Sequence, residues 1–372
     1  MTNRSRPIAI DLFCGAGGMS LGFEQAGFDV VLAVDADKIH SKIHEENFPD
    51  GLTICSDLKR VSGDTLKKAA KLGRKRIDVV FGGPPCQGFS AGGKNRPDDE
   101  RNHLLLEFAR LVGELQPRYF VMENVDQLLS PHNRRPLERF TRKIKRCGYS
   151  IVEDVQILNA ADFGVPQRRR RAFLMGARAG LQLPTYPEPS WFSSRPRPTV
   201  WDAIRDLPNI ERYESLLESD VFVGRLKKPS AYAAALRGDT KSSTDLSRKR
   251  RGILEGLSGC RRTLHSNAVI RRFAATGPGD QEPISRFFRL DPKSVSMTIR
   301  AGTGTDRGSF TAPRPIHPHE ARCITVREAA RLHSFPDWFQ FHPTKWHGFR
   351  QVGNSVPPLL ARAVARRIAT LL

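Results

Sequence analysis

Short apolar runs alternate with helix-like stretches through the first half of the chain, and this alternation limits the fold more than any other feature. Strand patterns fall at Ile8–Phe13, Val30–Val34, Ile77–Phe81, Tyr119–Met122, Ile151–Leu158 and Ala172–Met175. Runs with few polar positions belong to strands covered on both faces. Between them lie amphipathic stretches. Leu104, Leu105, Phe108, Leu111, Val112 and Leu115 share one helical face, and Leu137, Phe140 and Ile144 share another. The prediction is an α/β fold with a doubly wound, mostly parallel sheet.

The pattern breaks at Pro184–Pro198, where five prolines in fifteen residues read as a linker. From about 199 to 340 periodicity is weak and basic charge is dense. Between Arg225 and Arg272 stand thirteen lysines and arginines against three acids, nearly half of the chain's net charge of +21. A surplus of this size points to a polyanion such as nucleic acid. Order returns near the end: Leu359, Leu360, Ala363, Val364, Ile368 and Leu371 line one helical face, with Asn354 or Ser355 as its expected cap. The expected division is a sheet domain over 1–185, a smaller irregular domain over 186–340, and a segment over 341–372 that completes the first.

Several classes are excluded. No run approaches the ~18 apolar residues of a membrane span, and the first residues lack the apolar core of a signal peptide. The six cysteines are widely spaced and form no CxxC pair, which points to a reducing cytoplasm and not to a disulfide framework. His317 and His319 lack an evident fourth ligand, so no metal is expected.

Four motifs carry chemistry. In DLFCGAGGMSLGF (Asp11–Phe23) a strand runs into a turn containing Gly15, Gly17 and Gly18 and then a helix. Such a turn lets a ligand approach the backbone. Asp35, just past the second strand, is placed to accept from ribose hydroxyls. Alone, this pair says nucleoside-like cofactor, and a ligand-free turn remains open. In GGPPCQGFS (Gly82–Ser90), Cys86 follows a strand's carboxyl end, where open α/β sheets bind ligands. Two prolines stiffen the approach, and a thiolate is a good nucleophile. Glu123, in ENV, follows another strand at the same sheet edge. In PQRRRRAF (Pro166–Phe173), strand alternation sends Arg169 and Arg171 to one side and Arg168 and Arg170 to the other.

Taken in order, these motifs resemble those of the DNA (cytosine-5) methyltransferase family. TVREAARLHSFPDWF (Thr325–Phe339) and RQVGNSVPP (Arg350–Pro358) continue the match, which covers nearly the whole chain outside about 190–310. The resemblance implies the class I S-adenosylmethionine-dependent methyltransferase fold, with 186–340 as a target-recognition domain. It implies transfer of a methyl from S-adenosylmethionine to C5 of a cytosine flipped out of duplex DNA. Cys86 would be the nucleophile at C6. Glu123 would contact N3 and the exocyclic amine, Arg169 the cytosine O2, and Arg171 would help position the base. Phe13, Gly15, Gly17, Asp35, Asp57, Pro84, Leu104, Asn354 and Val356 would meet the cofactor, with no metal.

For double-stranded DNA, candidate contacts are Arg101, Arg248, Lys249, Arg250, Arg251 and Arg300, with Thr298–Arg300 and Gly302–Ser309 as candidates for target recognition. Arg327 and Arg331 are expected to be scaffold. His333 stands where many members carry Gln and is expected to be structural. A monomeric, cytoplasmic, nucleoid-associated enzyme of bacterial or phage type is expected, with a cognate restriction endonuclease as functional partner. Two other assignments remain. The tRNA-directed branch normally carries a Cys-Phe-Thr element, which is absent here. A non-catalytic DNA-binding regulator would not be expected to keep Cys86, Glu123 and Arg169.

Overall fold

The computed structural model describes residues 6–85, 103–189, 196–238, 247, 256–303 and 314–372. Cys86, Arg101, Arg248, Lys249, Arg250 and Arg251 lie outside the described residues.

The first half builds an eight-stranded sheet. Its strands are β1 (Ile8–Leu12), β2 (Asp29–Asp35), β3 (Leu52–Cys55), β4 (Val79–Gly82), β5 (Tyr119–Val125), β6 (Tyr149–Ile151), β7 (Gln156–Asn159) and β8 (Arg170–Arg178). The order is β3-β2-β1-β4-β5-β8-β6, with β7 also on β8. β1 to β5 pair in parallel, and β8 is antiparallel to β5, β6 and β7. The order reverses between β1 and β4, so a crevice opens at their carboxyl ends.

Six strand expectations meet eight strands. The run at Ile151–Leu158 divides into β6 and β7, which bond successive stretches of β8 with a break at 152–155 between them. β3 went unread because LTIC is short and its residues sit at the sheet edge, none of them buried. β5 runs three residues beyond Met122, so Glu123 stands inside a strand.

Alternate residues of the strands enter two cores. Ile10, Leu12, Val80, Phe120 and Met122 face α4 (His103–Leu115) and α5 (Arg134–Arg146), against Phe108, Leu111, Phe140 and Ile144. Ala9, Val79, Phe81, Val121 and Phe173 face α1 (Gly18–Gln25) and α11 (Pro358–Ala369). Gly22 of α1 is the point of closest approach: a Cβ there would overlap Ala361 Cβ and lie 2.7 Å from the Arg362 amide. Ser355 and Asn354 do not cap α11, whose N-cap is Pro357. They end α10 (Lys345–Asn354), the helix before it.

A third core belongs to the second lobe. It gathers Val200, Ile204, Phe222, Leu257, Ile299, Phe335, Phe339, Phe349 and Val352, and reaches Leu21 and Phe48 of the sheet domain. α10 packs here and α11 on the sheet. The chain thus re-enters the sheet layer near Val356. The TVREAARLHSFPD motif holds this lobe together. Thr325 and Glu328 form a reciprocal cap on α9 (Val326–Leu332), and Arg322 pairs bidentately with Glu328 at 2.8 and 2.9 Å. Arg327 donates to the carbonyls of Ser258, Pro336 and Phe339. Arg331 bonds Asp206 and Asp337. Both arginines are fully buried, with internal partners throughout.

The contact between α1 and α11 supplies a test. Gly22→Ala should destabilise the protein by about 1–3 kcal/mol, the usual range for overpacking, read as a lower urea midpoint with an unchanged m-value.

Candidate functional site

The crevice at the β1/β4 reversal is a cavity of about 610 Å³. Its floor is the turn after β1. Phe13 adopts φ 68°, a left-handed conformation unusual for a bulky residue and typical of strained functional turns. Both Phe13 N and Cys14 N donate to the Val34 carbonyl, which ties this turn to the end of β2. The Asp35 carboxylate accepts from Gly15 N at 2.8 Å and from Asp37 N at 2.8 Å. A Cβ on Gly15 would meet nothing within 4 Å, so the turn faces open space. Gly17 has a different need: its φ is 105° and a Cβ would overlap the Phe48 ring.

The second wall forms where β4, β5 and β8 end. A Cβ on Gly82 would overlap the Leu12 carbonyl, so only glycine lets β4 pass this close to β1. At Gly83 a Cβ would sit 2.7 Å from Glu123 Oε2. Asn124 Nδ2 donates to the Pro84 carbonyl at 3.2 Å. GGPP and ENV, forty residues apart in sequence, are therefore locked together. Arg171 pairs across the sheet with Val125, and strand alternation puts Glu123 on the same face. Arg171 Nε meets Glu123 Oε1 at 2.8 Å. Burial pushes the Glu123 carboxyl up from its ordinary range, while Arg171 and Arg169 pull it down.

Arg169 stands elsewhere. It is 1% exposed and does not line the cavity. Its guanidinium donates to the Ile299 carbonyl at 3.2 Å and to the Gly353 carbonyl at 2.7 Å. The expected split of the arginine run is seen, with Arg168 and Arg170 exposed and Arg169 and Arg171 turned inward, but the residue beside Glu123 is Arg171. The third wall comes from the chain's end: Arg350, Gln351, Gly353, Asn354, Ser355 and Val356, joined by Ala301 and Gly302 of the second lobe.

Of the expected cofactor residues, Phe13, Gly15, Asp35, Pro84, Asn354 and Val356 line this cavity. Gly17, Asp57 and Leu104 do not: Asp57 instead accepts from Lys59 N at 3.0 Å and caps a short turn. Residues the sequence did not single out also line it, among them Asp11, Asp37, His40 and Arg350. Asp37 and Arg350 form an ion pair of 3.2 Å across the mouth. The signal for Asp11 and Arg350 was present, since both lie inside quoted motifs. Asp37 and His40 stand just past the second strand in no motif.

Among the described members of the 225–272 cluster, Arg237, Arg262 and Arg272 pair with Asp206, Glu211 and Glu282. Arg225, Lys227, Lys228 and Arg271 are exposed, as is Arg300. Of the segment's eight described cations, four are exposed. His317 uses Nδ1 to accept from the amides of His319 and Glu320. Among the described residues no group of three or more His, Cys, Asp or Glu is arranged to hold a metal ion. His333 is buried, donating from Nε2 to the Ser355 carbonyl at 2.9 Å and accepting from Gln167 Nε2 at 2.9 Å.

Residues 8–370 match the family model of C-5 cytosine-specific DNA methylases. The chain is 54% identical to the Type II methyltransferase M.XorII of Xanthomonas oryzae over 364 residues, covering 98% of this chain and 85% of that one. It is 36% identical to the Type II methyltransferase M1.HphI of Haemophilus parahaemolyticus, covering 96% and 86%. Among solved structures, a prophage-encoded protein of E. coli described as a DNA modification methyltransferase superposes with a TM-score of 0.82 at 35% identity, covering 98% and 99%. The S. pombe Dnmt2 methyltransferase, at 18% identity and a TM-score of 0.57, shares the fold. Among the described residues no helix is long and apolar enough to cross a membrane.

The cavity floor supplies a pH test. Asp11 is 1% exposed, bonded by Ser20 Oγ at 2.6 Å, and burial pushes its carboxyl up to about 8. The folded state then holds a proton that the unfolded chain has released, from about pH 4 to pH 8. Stability contributed by Asp11 is full below that window and is lost as pH rises through it. Urea midpoints between pH 5 and pH 8 should therefore fall more steeply for wild type than for Asp11→Asn; parallel slopes would contradict the assignment.

Proposed function

The chain belongs to the C-5 cytosine-specific DNA methylase family, and from that premise we propose how its residues carry a methyl group to cytosine C5: S-adenosylmethionine in the β1/β4 cavity, the flipped base against Glu123 and Arg171, and the Cys86 thiolate at C6. The observation that carries this is the convergence of GGPP, ENV and the arginine run on one wall of the cavity, with the glycine-rich turn on the other.

The cavity suits the donor. Its open Gly15 turn admits an extended ligand against the backbone, and Asp35 lies where a ribose diol is held in doubly wound folds. When bound, S-adenosylmethionine supplies an electrophilic methyl. Phe13, Gly15, Asp35, Pro84, Asn354 and Val356 would hold it.

Cytosine C5 is a weak nucleophile, so the protein must first activate it. The Cys86 thiolate adds to C6 while N3 takes a proton, which makes C5 enamine-like. Glu123 is suited to give that proton, because burial favours its neutral form. Arg171 holds the Glu123 carboxyl in place and offers further N–H donors to the base O2. This moves the O2 contact expected of Arg169 to its neighbour two residues on. After C5 takes the methyl, N3 returns its proton to Glu123, the C5 proton passes to water, and the thiolate leaves C6, which restores aromaticity. A base within a duplex cannot reach such a site, so it must be extruded. Arg300 and the segment Arg248–Arg251 of the basic second lobe, with Arg101 of the first domain, would hold the DNA backbone. The kinship with Type II methyltransferases supports a modification enzyme acting beside a cognate endonuclease.

Three results are expected. Radiolabelled S-adenosylmethionine should mark cytosine C5 in duplex DNA with wild type and not with Cys86→Ala, and a fully active Cys86→Ala would refute the nucleophile. Duplexes containing 5-fluorocytosine should trap a covalent adduct that peptide mass spectrometry locates at Cys86. Glu123→Gln, folded by circular dichroism, should slow transfer by about 10²–10⁴-fold, the range for loss of a general acid or base.

A further inference from the structure

The buried guanidinium of Arg169 lies where three segments meet. The first is its own, Pro166–Arg171, leading into β8. The second, Ser296–Gly302, comes from the second lobe. Ser296 N donates to the Pro166 carbonyl at 2.9 Å, Arg168 N to the Ser296 carbonyl at 2.8 Å, and Thr298 Oγ1 to the Arg168 carbonyl at 2.6 Å. Ile299 N donates to Gln167 Oε1 at 3.1 Å. The third segment, Gly353–Val356, is the cavity wall at the end of α10. Arg169 reaches the second through the Ile299 carbonyl and the third through the Gly353 carbonyl. Gly353 itself packs backbone to backbone on Ala301, where a Cβ would overlap the Ala301 amide. Gln167 and His333 close a parallel route to the Ser355 carbonyl.

We propose that Arg169 is a positioning residue that couples the second lobe to the donor cavity, so that DNA seated against Ser296–Gly302 and the methyl donor seated against Gly353–Val356 each tighten the other. Two observations support this. A guanidinium stays charged when buried, so it must keep its acceptors. Among the described residues no carboxylate lies within ion-pair distance of Arg169, Glu123 acts on it only through space, and its Nε meets no acceptor; its hydrogen bonds go to two carbonyls from different segments. Displacing either segment leaves a buried cation half-solvated, which makes the two docked positions cooperative. Further, Ala301 and Gly302 line the same cavity as Asn354 and Val356, so the segment that Arg169 holds is itself a wall of the donor site.

The inference rests on the methyl-transfer mechanism above, and the experiment separates the two. Plasmid DNA that wild type labels is sheared into fragments. The Kd of S-adenosylhomocysteine is then measured by calorimetry with and without those fragments. By the usual size of coupling between sites, DNA should tighten the wild-type Kd about tenfold and that of Arg169→Lys less than about twofold, with the DNA-free Kd of the two proteins similar. Lysine keeps the charge but cannot fork to both carbonyls. Thr298→Val, which loosens the same segment from the surface, should give an intermediate factor and decides the matter if Arg169→Lys does not fold. Wild-type coupling retained in either variant, or no coupling in a wild type that methylates DNA, overturns the inference alone. A wild type that labels no DNA overturns the mechanism and the inference with it.

Discussion

The site exists because two backbones pass closer than side chains allow. Where β4 ends beside β1, the Leu12 carbonyl occupies the space a Cβ on Gly82 would need. That approach sets the rest of the wall. Gly83 comes against the Glu123 carboxylate, and the Pro84 carbonyl is caught by Asn124. The cavity lies at the reversal of strand order, but a reversal alone makes only a crevice. The two glycines and two prolines turn it into a wall with a carboxyl group held at a set place.

Buried arginines organise the second lobe. Arg169, Arg327 and Arg331 are among the largest fully buried side chains of the protein. Arg169 and Arg327 hold carbonyls from separate stretches of chain, and Arg331 joins the Ala203 carbonyl to the Asp206 and Asp337 carboxylates, where helix and sheet periodicity is weak. A guanidinium with several fixed donors suits such a lobe, because it joins irregular backbone that no ladder of amide bonds could join. The charge surplus therefore divides into cations turned inward as structure and cations left outside for a polyanion. A count made on the sequence cannot separate these, since Arg237, Arg262 and Arg272 look no different there from Arg225 or Arg271.

What was legible in the sequence followed from local patterns. Double-sided strands, the helices α4, α5 and α11, and the inward turn of Arg169 and Arg171 all come from periodicity, and the structure holds them. Features set by long-range geometry were not legible. β3 is an edge strand with no buried face to mark it. The break between β6 and β7 depends on how both fit β8. Which arginine meets Glu123 depends on the register of β5 on β8, and that pairing alone selects Arg171. Asn354 and Ser355 looked like a cap for the following helix, whereas the chain uses them to finish the preceding one. Gly17 stands between two lining residues, yet a Cβ there would face Phe48, whereas Asp57 and Leu104 are distant from the lining along the chain, and Asp57 gives its carboxylate to the Lys59 amide.

One face of the sheet is covered by α1 from the beginning of the described chain and α11 from its end. Phe23 and Phe81 stack there with ring centroids 3.8 Å apart, and Leu360, Val364 and Ile368 complete the layer. During synthesis this apolar surface is made early and its cover last. The nascent chain must carry an open hydrophobic face while all of the second lobe is being translated, a state in which such surfaces invite association. A chain without α11 would leave Ala9, Val79, Phe81 and Val121 of that face without the cover of Leu360, Val364 and Ile368.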